Sequence, residues 1–172
     1  MDVERRVVGA AVLALVVLFE LDASQIDVDS RLQAIEDVEF ELGQMDAGEV
    51  REFRTALDGM EVDGSGIVES LRHMAEPVAE RAADSAVQDH RDLSDRLVSV
   101  LLAPCRVLFD LEPPLIDARA QAEATSRIAD ELRRLGAEER RAVLAALDRL
   151  EVVEPSDAPF LGRLRDRLIL AS

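Results

Sequence analysis

The stretch VVGAAVLALVVLF, residues 7–19, carries no charge and follows two arginines, as the core of an export signal does. Its thirteen residues are too few to span a bilayer, which needs about 20, and no small-x-small cleavage motif follows it. A counterpart, LVSVLLAPCRVLFDL, lies inside the chain at residues 97–111. Because an export signal is not internal, we expect residues 7–19 to form a buried helix that is apolar nearly all round.

The two stretches belong to an internal repeat with a spacing of 90 residues. Residues 1–62 and 91–152, compared without gaps, share 20 identities, against about six expected by chance for this composition. Apolar and polar residues are both shared, as in Val17/Val107, Leu18/Leu108, Phe19/Phe109, Leu21/Leu111, Ile26/Ile116, Asp27/Asp117, Glu41/Glu131, Leu42/Leu132, Ala47/Ala137, Glu49/Glu139, Arg51/Arg141, Leu57/Leu147 and Asp58/Asp148. The sequence therefore predicts two tandem copies of one unit, residues 1–90 and 91–172.

Each copy is predicted to form three core helices followed by a divergent tail helix. Helices are expected at residues 2–21, 28–44, from 47 onward, 67–74 and 77–88 in the first copy, and at 92–111, 118–134, from 137 onward and 158–170 in the second. Nothing alternates with a period of two for long enough to indicate a strand. The prediction is an all-α helical bundle, packed as a pseudo-twofold dimer of the two copies so that their apolar first helices cover each other.

Apolar residues spaced by three and four indicate which helix faces are buried. In the second helix these residues are Leu32, Ile35, Val38, Leu42 and Met45 in the first copy, and Ala124, Ile128, Leu132 and Leu135 in the second. In the third helix they are Val50, Phe53, Leu57 and Met60, and Val143, Leu147 and Leu150. The C-terminal helix carries Phe160, Leu161, Leu164 and Leu168. We expect all of these side chains to face the core.

Several polar residues are explained by helix ends and surface pairs. Asp27 and Asp117 stand where an N-cap is expected, and Asp46 with Glu49 makes a start that resembles a capping box. Glu139, like Glu49, fits a helix N-terminus, where a negative charge meets the helix dipole. Arg51 and Arg141 are expected to pair with Glu41 and Glu131, or with Asp58 and Asp148, across helix surfaces.

Charge and cysteine content restrict the partners and the compartment. The chain has 36 acidic residues against 20 basic ones, for a net charge of −16. Such a surface does not favour phosphate backbones or anionic membranes, which attract Lys and Arg, so we expect neither nucleic acid nor a membrane as partner. A basic protein is the electrostatic complement, and a homodimer stays open. One cysteine excludes an internal disulfide, which fits a cytoplasmic location.

Signatures of catalysis or of a bound cofactor are not found in the sequence. His73 and His90 are far apart, and the pair Glu69 and His73 is too small a set for a metal site, which needs three or four ligands. Cys105 has Arg106 as its one basic neighbour in sequence, and neither a nucleophile elbow nor a phosphate-binding loop occurs. We therefore expect no metal, no cofactor and no enzymatic activity.

The leading hypothesis is a non-catalytic protein-binding protein with an acidic helical surface, of the immunity or antitoxin kind or an adaptor or regulatory subunit. The alternative is a sensor of a small-molecule or lipid-like ligand, with an apolar cavity between the repeats. An enzyme that uses carboxylates alone ranks last. Pro104 and Arg106 interrupt the second apolar helix and break the symmetry there. The candidate contacts for a ligand or partner are Arg106, Cys105, Glu20 and Asp110.

Overall fold

The computed structural model describes residues 2–58, 65–74, 93–153 and 155–170, and nearly all of them are helical. The helices are α1 (Asp2–Glu20), α2 (Val28–Gly43), α3 (Ala47–Asp58), α4 (Ser65–Met74), α5 (Leu93–Asp110), α6 (Ala118–Arg133), α7 (Ala137–Val153) and α8 (Ala158–Leu170), with a 3₁₀ turn at Pro155–Asp157. Within the described residues, β structure is limited to one isolated bridge. The predicted all-α class is confirmed. The helix expected at residues 77–88 lies outside the described residues.

The predicted helix starts are also confirmed. Asp27 caps α2 by accepting a hydrogen bond from the backbone N–H of Ser30 at 2.8 Å, and Asp117 caps α6 by accepting one from Ala120 at 2.8 Å. At the start of α3 the capping box is complete, because Asp46 accepts from the Glu49 N–H at 2.9 Å and Glu49 accepts from the Asp46 N–H at 2.8 Å. These bonds satisfy amide donors that a helix start otherwise leaves without partners.

Two apolar helices form the centre of the molecule. α1 packs most extensively against α5, and both are buried over most of their circumference. The stretch at residues 7–19 is a core helix as expected, although Phe19 at its end is 41% exposed. None of the helices in the described parts of the chain is long and apolar enough to cross a membrane.

The remaining core helices join the two copies by crossing between them. α2 lies mainly against α5, the first helix of the other copy, and α6 lies against α1 in the corresponding way. The third helix α3 packs mainly on α1 of its own copy, whereas α7 packs on α5 of its own copy and also on α1 of the other. Each central helix is therefore covered in part by its own copy and in part by the other.

Several contacts between the copies are reciprocal, so that a contact made by one copy occurs again with the equivalent residues exchanged. The bridge pairs Ile26 with Ile116, and it is closed by two reciprocal backbone bonds of 2.7 Å, from Asp27 to the Leu115 carbonyl and from Asp117 to the Gln25 carbonyl. Two ion pairs are reciprocal as well. Arg6 lies 3.3 Å from Glu139, and its equivalent Arg96 lies 3.4 Å from Glu49.

The buried face of α2 differs from the one that we predicted. Ala34, Val38, Leu42 and Met45 are buried, whereas Leu32 is 51% exposed and Ile35 is partly exposed. Positions 34, 38 and 42 are the equivalents of Ala124, Ile128 and Leu132, which are buried as predicted. The predicted stripe is therefore wrong at its N-terminal end, where Ala34 is buried and Leu32 is not.

The third helices and the tails agree with the predicted burial wherever their side chains are described. The buried residues are Val50, Phe53 and Leu57 in α3, Val143, Leu147 and Leu150 in α7, and Phe160, Leu161 and Leu164 in α8; Met60 and the Leu168 side chain lie outside the described set. Asp58 pairs with Arg72 of α4 and Asp148 with Arg165 of α8, both at 2.7 Å. The aspartates thus pair with arginines of the tails, not with Arg51 or Arg141 as expected.

Candidate functional site

Three of the four predicted contact residues lie in separate surroundings. Cys105 is fully buried in the core, so a partner at the surface does not reach it. Glu20 and Asp110 occupy equivalent positions at the ends of α1 and α5. Glu20 pairs with Arg127 of α6, and Asp110 pairs with Arg163 of α8. The structure does not bring these side chains together into one site.

Arg106, the fourth predicted residue, lines an open cleft with a volume of about 200 Å³. The cleft is formed by α2, α5, the end of α7, the 3₁₀ turn and α8. Arg106 pairs with Asp157 of the 3₁₀ turn, and its guanidinium lies 5.9 Å from the centre of the Phe160 ring. Arg106 thus pairs with a carboxylate of the chain itself, although 41% of the Arg106 side chain remains exposed.

The cleft is acidic with apolar walls. Asp37 and Glu41 of α2 line it together with the ion pair of Arg106 and Asp157. Asp37 is held by Gln33, whose side-chain amide donates to it at 2.9 Å. The apolar lining consists of Leu102, Ala103, Leu150, Leu161 and the ring of Phe40.

The outer face of α2 is continuous with this cleft and exposes large apolar side chains. Val28 is 47% exposed, Leu32 is 51% exposed and Phe40, at the rim of the cleft, is 63% exposed. Carboxylates separate them, because Asp29, Glu36 and Glu39 are also exposed on this helix. We call these six residues the α2 face. Single exposed apolar residues are normal on a protein surface, but a group of them on one helix indicates a binding surface.

The equivalent surface of α6 provides an internal comparison. Val28, Leu32 and Phe40 correspond to Ala118, Ala122 and Asp130, and all six positions are exposed. The charges differ too: α2 contains five carboxylates and one arginine, for a net charge of −4, whereas α6 contains three of each and is neutral. The two helices occupy equivalent positions in the repeat but present different surfaces. The surface of α2 is apolar and acidic, and the surface of α6 is not.

Sequence reasoning missed Phe40 and Asp37, although the signal was present. The predicted buried stripe did not include Phe40, and the two copies were compared for their identities. The differences were more informative at these positions: a phenylalanine replaces an aspartate at 40/130, and an aspartate replaces an arginine at 37/127. Position 40 and its equivalent 130 are exposed, so packing does not require this difference between the copies.

The described residues offer no arrangement for metal chemistry. No group of three or more His, Cys, Asp or Glu side chains within them is placed to hold a metal ion. Glu69, which sequence reasoning paired with His73, forms an ion pair with Arg72 at 3.1 Å. The arrangement combines exposed apolar side chains, an acidic helix and an open cleft.

In comparisons with known proteins, no family model, no curated protein and no solved structure matches this chain.

Proposed function

We propose that this chain is a non-catalytic protein-binding protein, either an inhibitor of the immunity or antitoxin kind or an adaptor, that acts through the acidic surface of its first copy. The observation that carries the proposal is the α2 face, with Val28, Leu32 and Phe40 exposed among carboxylates. Aromatic and aliphatic anchors supply much of the energy of an interface once water is excluded from them. Surrounding carboxylates accelerate association with a basic target and disfavour acidic competitors.

We further propose that the molecule is a pseudo-twofold dimer of the duplicated unit, and that this arrangement allowed one copy to specialise. The reciprocal contacts of Ile26 with Ile116, and of Arg6 and Arg96 with the opposite glutamates, support it. In a symmetric dimer every surface occurs twice. Fusion of the copies removes that constraint, so the α2 face changes while the α6 face stays small and neutral.

The test is co-expression of the chain with the products of neighbouring genes, followed by size-exclusion chromatography at physiological salt. We expect one of these products to form a stoichiometric complex. The double substitution Leu32→Ala and Phe40→Asp, which copies the α6 residues, is expected to weaken binding about 100-fold, since each lost anchor is worth about 1–2 kcal/mol. A control with Val152→Ala, at an apolar residue that is 79% exposed elsewhere, should bind as the unmodified chain does. If no product binds, the proposal fails.

The cleft beside Arg106 favours a second candidate, a sensor of a small acidic ligand. Two observations place it behind the first. Asp157 already pairs with the Arg106 guanidinium, and the cleft volume of about 200 Å³ lies below the roughly 300 Å³ at which pockets for drug-sized ligands begin. A test is the melting temperature of the chain with a panel of small carboxylic acids. A shift that is lost in Arg106→Leu would support the sensor.

A further inference from the structure

We infer that the partner protein docks through an amphipathic helix with basic flanks, which lies along α2 and packs on Val28, Leu32 and Ile35. We call these three residues the seam. This inference rests on the proposed function and specifies the element of the partner that is bound. It also predicts one such helix per chain, because α6 does not carry an equivalent seam.

The spacing of the apolar residues on α2 is the first support. Val28, Leu32 and Ile35 are four and three residues apart, as successive core positions of a coiled-coil helix are, so their side chains lie along one line of the helix. Val28 and Leu32 are exposed and Ile35 is partly exposed. This line therefore faces outward, and a second helix with the same spacing can pack on it over about two turns.

A small apolar depression beside Ile35 is the second support. Ile35 lines it together with Phe19 of α1 and with Ile67 and Met74 of α4. Its volume of about 10 Å³ leaves room for about one group of the size of water or a methyl. Phe19 itself is 41% exposed. A helix on the seam can place the end of an aliphatic side chain here, and it then buries apolar surface of three helices of the first copy.

Charge complementarity beside the seam is the third support. Asp29 and Glu36 directly follow Val28 and Ile35 and lie seven residues apart, at the positions that flank the core of a coiled coil. Both are exposed, and neither forms an ion pair with an arginine in the described parts of the chain. Lysine or arginine at the flanking positions of the partner helix would complement them. Such pairs determine the choice and orientation of a partner helix.

The second copy differs at every one of these positions. The equivalents of the seam and of its two flanking carboxylates are Ala118, Arg119, Ala122, Thr125 and Ser126. The apolar side chains are shorter there or replaced by threonine, and an arginine stands where a basic helix needs a carboxylate. α6 therefore serves as the internal example of a helix in the equivalent position that lacks the features required for docking.

Matched variants follow from this comparison. Val28→Ala with Ile35→Thr removes two residues of the seam, and Asp29→Arg reverses the charge beside it. Asp37→Arg makes the same charge change on α2 away from the seam, at a position that lines the cleft, and it copies Arg127 of the second copy. Because the fold accepts all of these residues at the equivalent positions, we expect the three variants to fold, which circular dichroism verifies.

The first experiment uses a synthetic peptide of two heptads, with leucine at the a and d positions and lysine elsewhere. Its control contains the same residues in an order that spreads the leucines around the helix. The full chain, labelled with ¹⁵N, is titrated with each peptide at physiological salt. The heptad peptide should bind at least tenfold more tightly than its control, gain helix on binding and shift the backbone signals of α2 and α4 most.

The variants then locate this binding. The dissociation constant of the heptad peptide should rise at least fivefold in Val28→Ala with Ile35→Thr. It should rise at least threefold more in Asp29→Arg than in Asp37→Arg. A heptad peptide that binds no more tightly than its control, largest shifts on other helices, or equal effects of the two arginine substitutions would overturn the inference.

The second experiment uses the complex with the partner found by co-expression. Val28→Ala with Ile35→Thr should raise its dissociation constant at least tenfold. If Leu32→Ala with Phe40→Asp disrupts the complex while Val28→Ala with Ile35→Thr leaves it unchanged, the inference is wrong and the proposed function stands. If sedimentation shows that the chain dimerises and that Val28→Ala with Ile35→Thr separates the dimer, a second copy is the occupant, and the inference is wrong for that reason.

Discussion

At the scale of single residues, the two reciprocal ion pairs differ in how far they are exposed to solvent. Arg96 is 4% exposed and faces Glu49, whereas the side chain of its equivalent, Arg6, is 56% exposed beside Glu139. Asp95, Arg96 and Ser99 are the buried polar residues among those described, and all three lie on α5. The same pair is therefore desolvated at one end of the molecule and hydrated at the other.

We predict that Glu49→Gln destabilises the fold more than Glu139→Gln does. Glutamine retains an oxygen that can accept from the Asp46 N–H, so the capping of α3 is preserved while the charge is lost. A buried guanidinium that loses its carboxylate costs several kcal/mol; because 15% of the Glu49 side chain is exposed, we expect about 1–3 kcal/mol. Glu139→Gln should cost less than about 1 kcal/mol, as exposed pairs do.

Urea unfolding of the two variants, followed by circular dichroism, measures this difference. The quantity compared is the free energy of unfolding at neutral pH. Equal losses in Glu49→Gln and Glu139→Gln would mean that burial of Arg96 contributes nothing to the strength of its pair. A larger loss in Glu139→Gln would contradict the prediction directly.

A second prediction at this scale concerns the stability of the fold at low pH. Hydrogen bonds from the backbone N–H groups of Glu49 and Gly48 lower the pKa of Asp46, and bonds from the backbone and then the hydroxyl of Ser30 lower the pKa of Asp27. A carboxylate with a lowered folded-state pKa stabilises the fold above its unfolded-state pKa. This stabilisation is lost as pH falls through the folded-state value. We therefore expect the free energy of unfolding to decrease as pH falls below about 4.

Carboxyl titration by nuclear magnetic resonance tests the cause, and urea unfolding between pH 2 and pH 5 tests the consequence. Asp46→Asn should make the pH dependence of unfolding shallower, because the amide does not titrate. A folded-state pKa of Asp46 at or above the ordinary aspartate value of about 3.9 would contradict the prediction.

At the scale of helices, α2 has one side that packs in the core and another side that we propose binds a partner. Its inner side, with Ala34, Val38 and Leu42, is buried, and its outer side forms the α2 face. We predict that Leu42→Ala costs about 2–5 kcal/mol, as truncation of a buried leucine does, whereas Leu32→Ala changes stability by less than about 0.5 kcal/mol. Thermal and urea unfolding of the two variants measure this. A comparable loss in both would mean that Leu32 belongs to the core.

The helices were predictable from sequence to a greater extent than the exposure of the α2 face. Caps such as Asp27 and the spacing of apolar residues act locally, so they predict helix starts within a residue or two. Burial of residues 7–19 followed from the repeat. The exposure of Leu32 and Phe40 depends instead on how α2 is rotated against α5, a tertiary property that periodicity alone does not determine. The cleft at Asp37 joins residues from distant parts of the chain, and no local pattern indicates it.

At the scale of the whole molecule, helices cross between the two copies, and we expect this crossing to make the copies unfold together. α2 covers α5, and α6 covers α1, so neither copy buries its own apolar first helix by itself. Isolated, each copy would expose a largely apolar helix of 18 or 19 residues. We therefore expect the full chain to unfold in one cooperative transition, with the two copies losing structure together.

The last prediction follows from this crossing. Fragments 1–90 and 91–172, expressed separately, should not form folded monomers, because the surface that α2 and α6 exchange would be missing from each. Mixed in equal amounts, they should recover the helix content and the cooperative melting of the intact chain. Circular dichroism measures helix content, and analytical ultracentrifugation distinguishes the reassembled pair from an isolated fragment or a fragment homodimer. A fragment that melts cooperatively as a monomer would show that its core is complete in one copy, and that the contacts between copies are an addition to two independent folds.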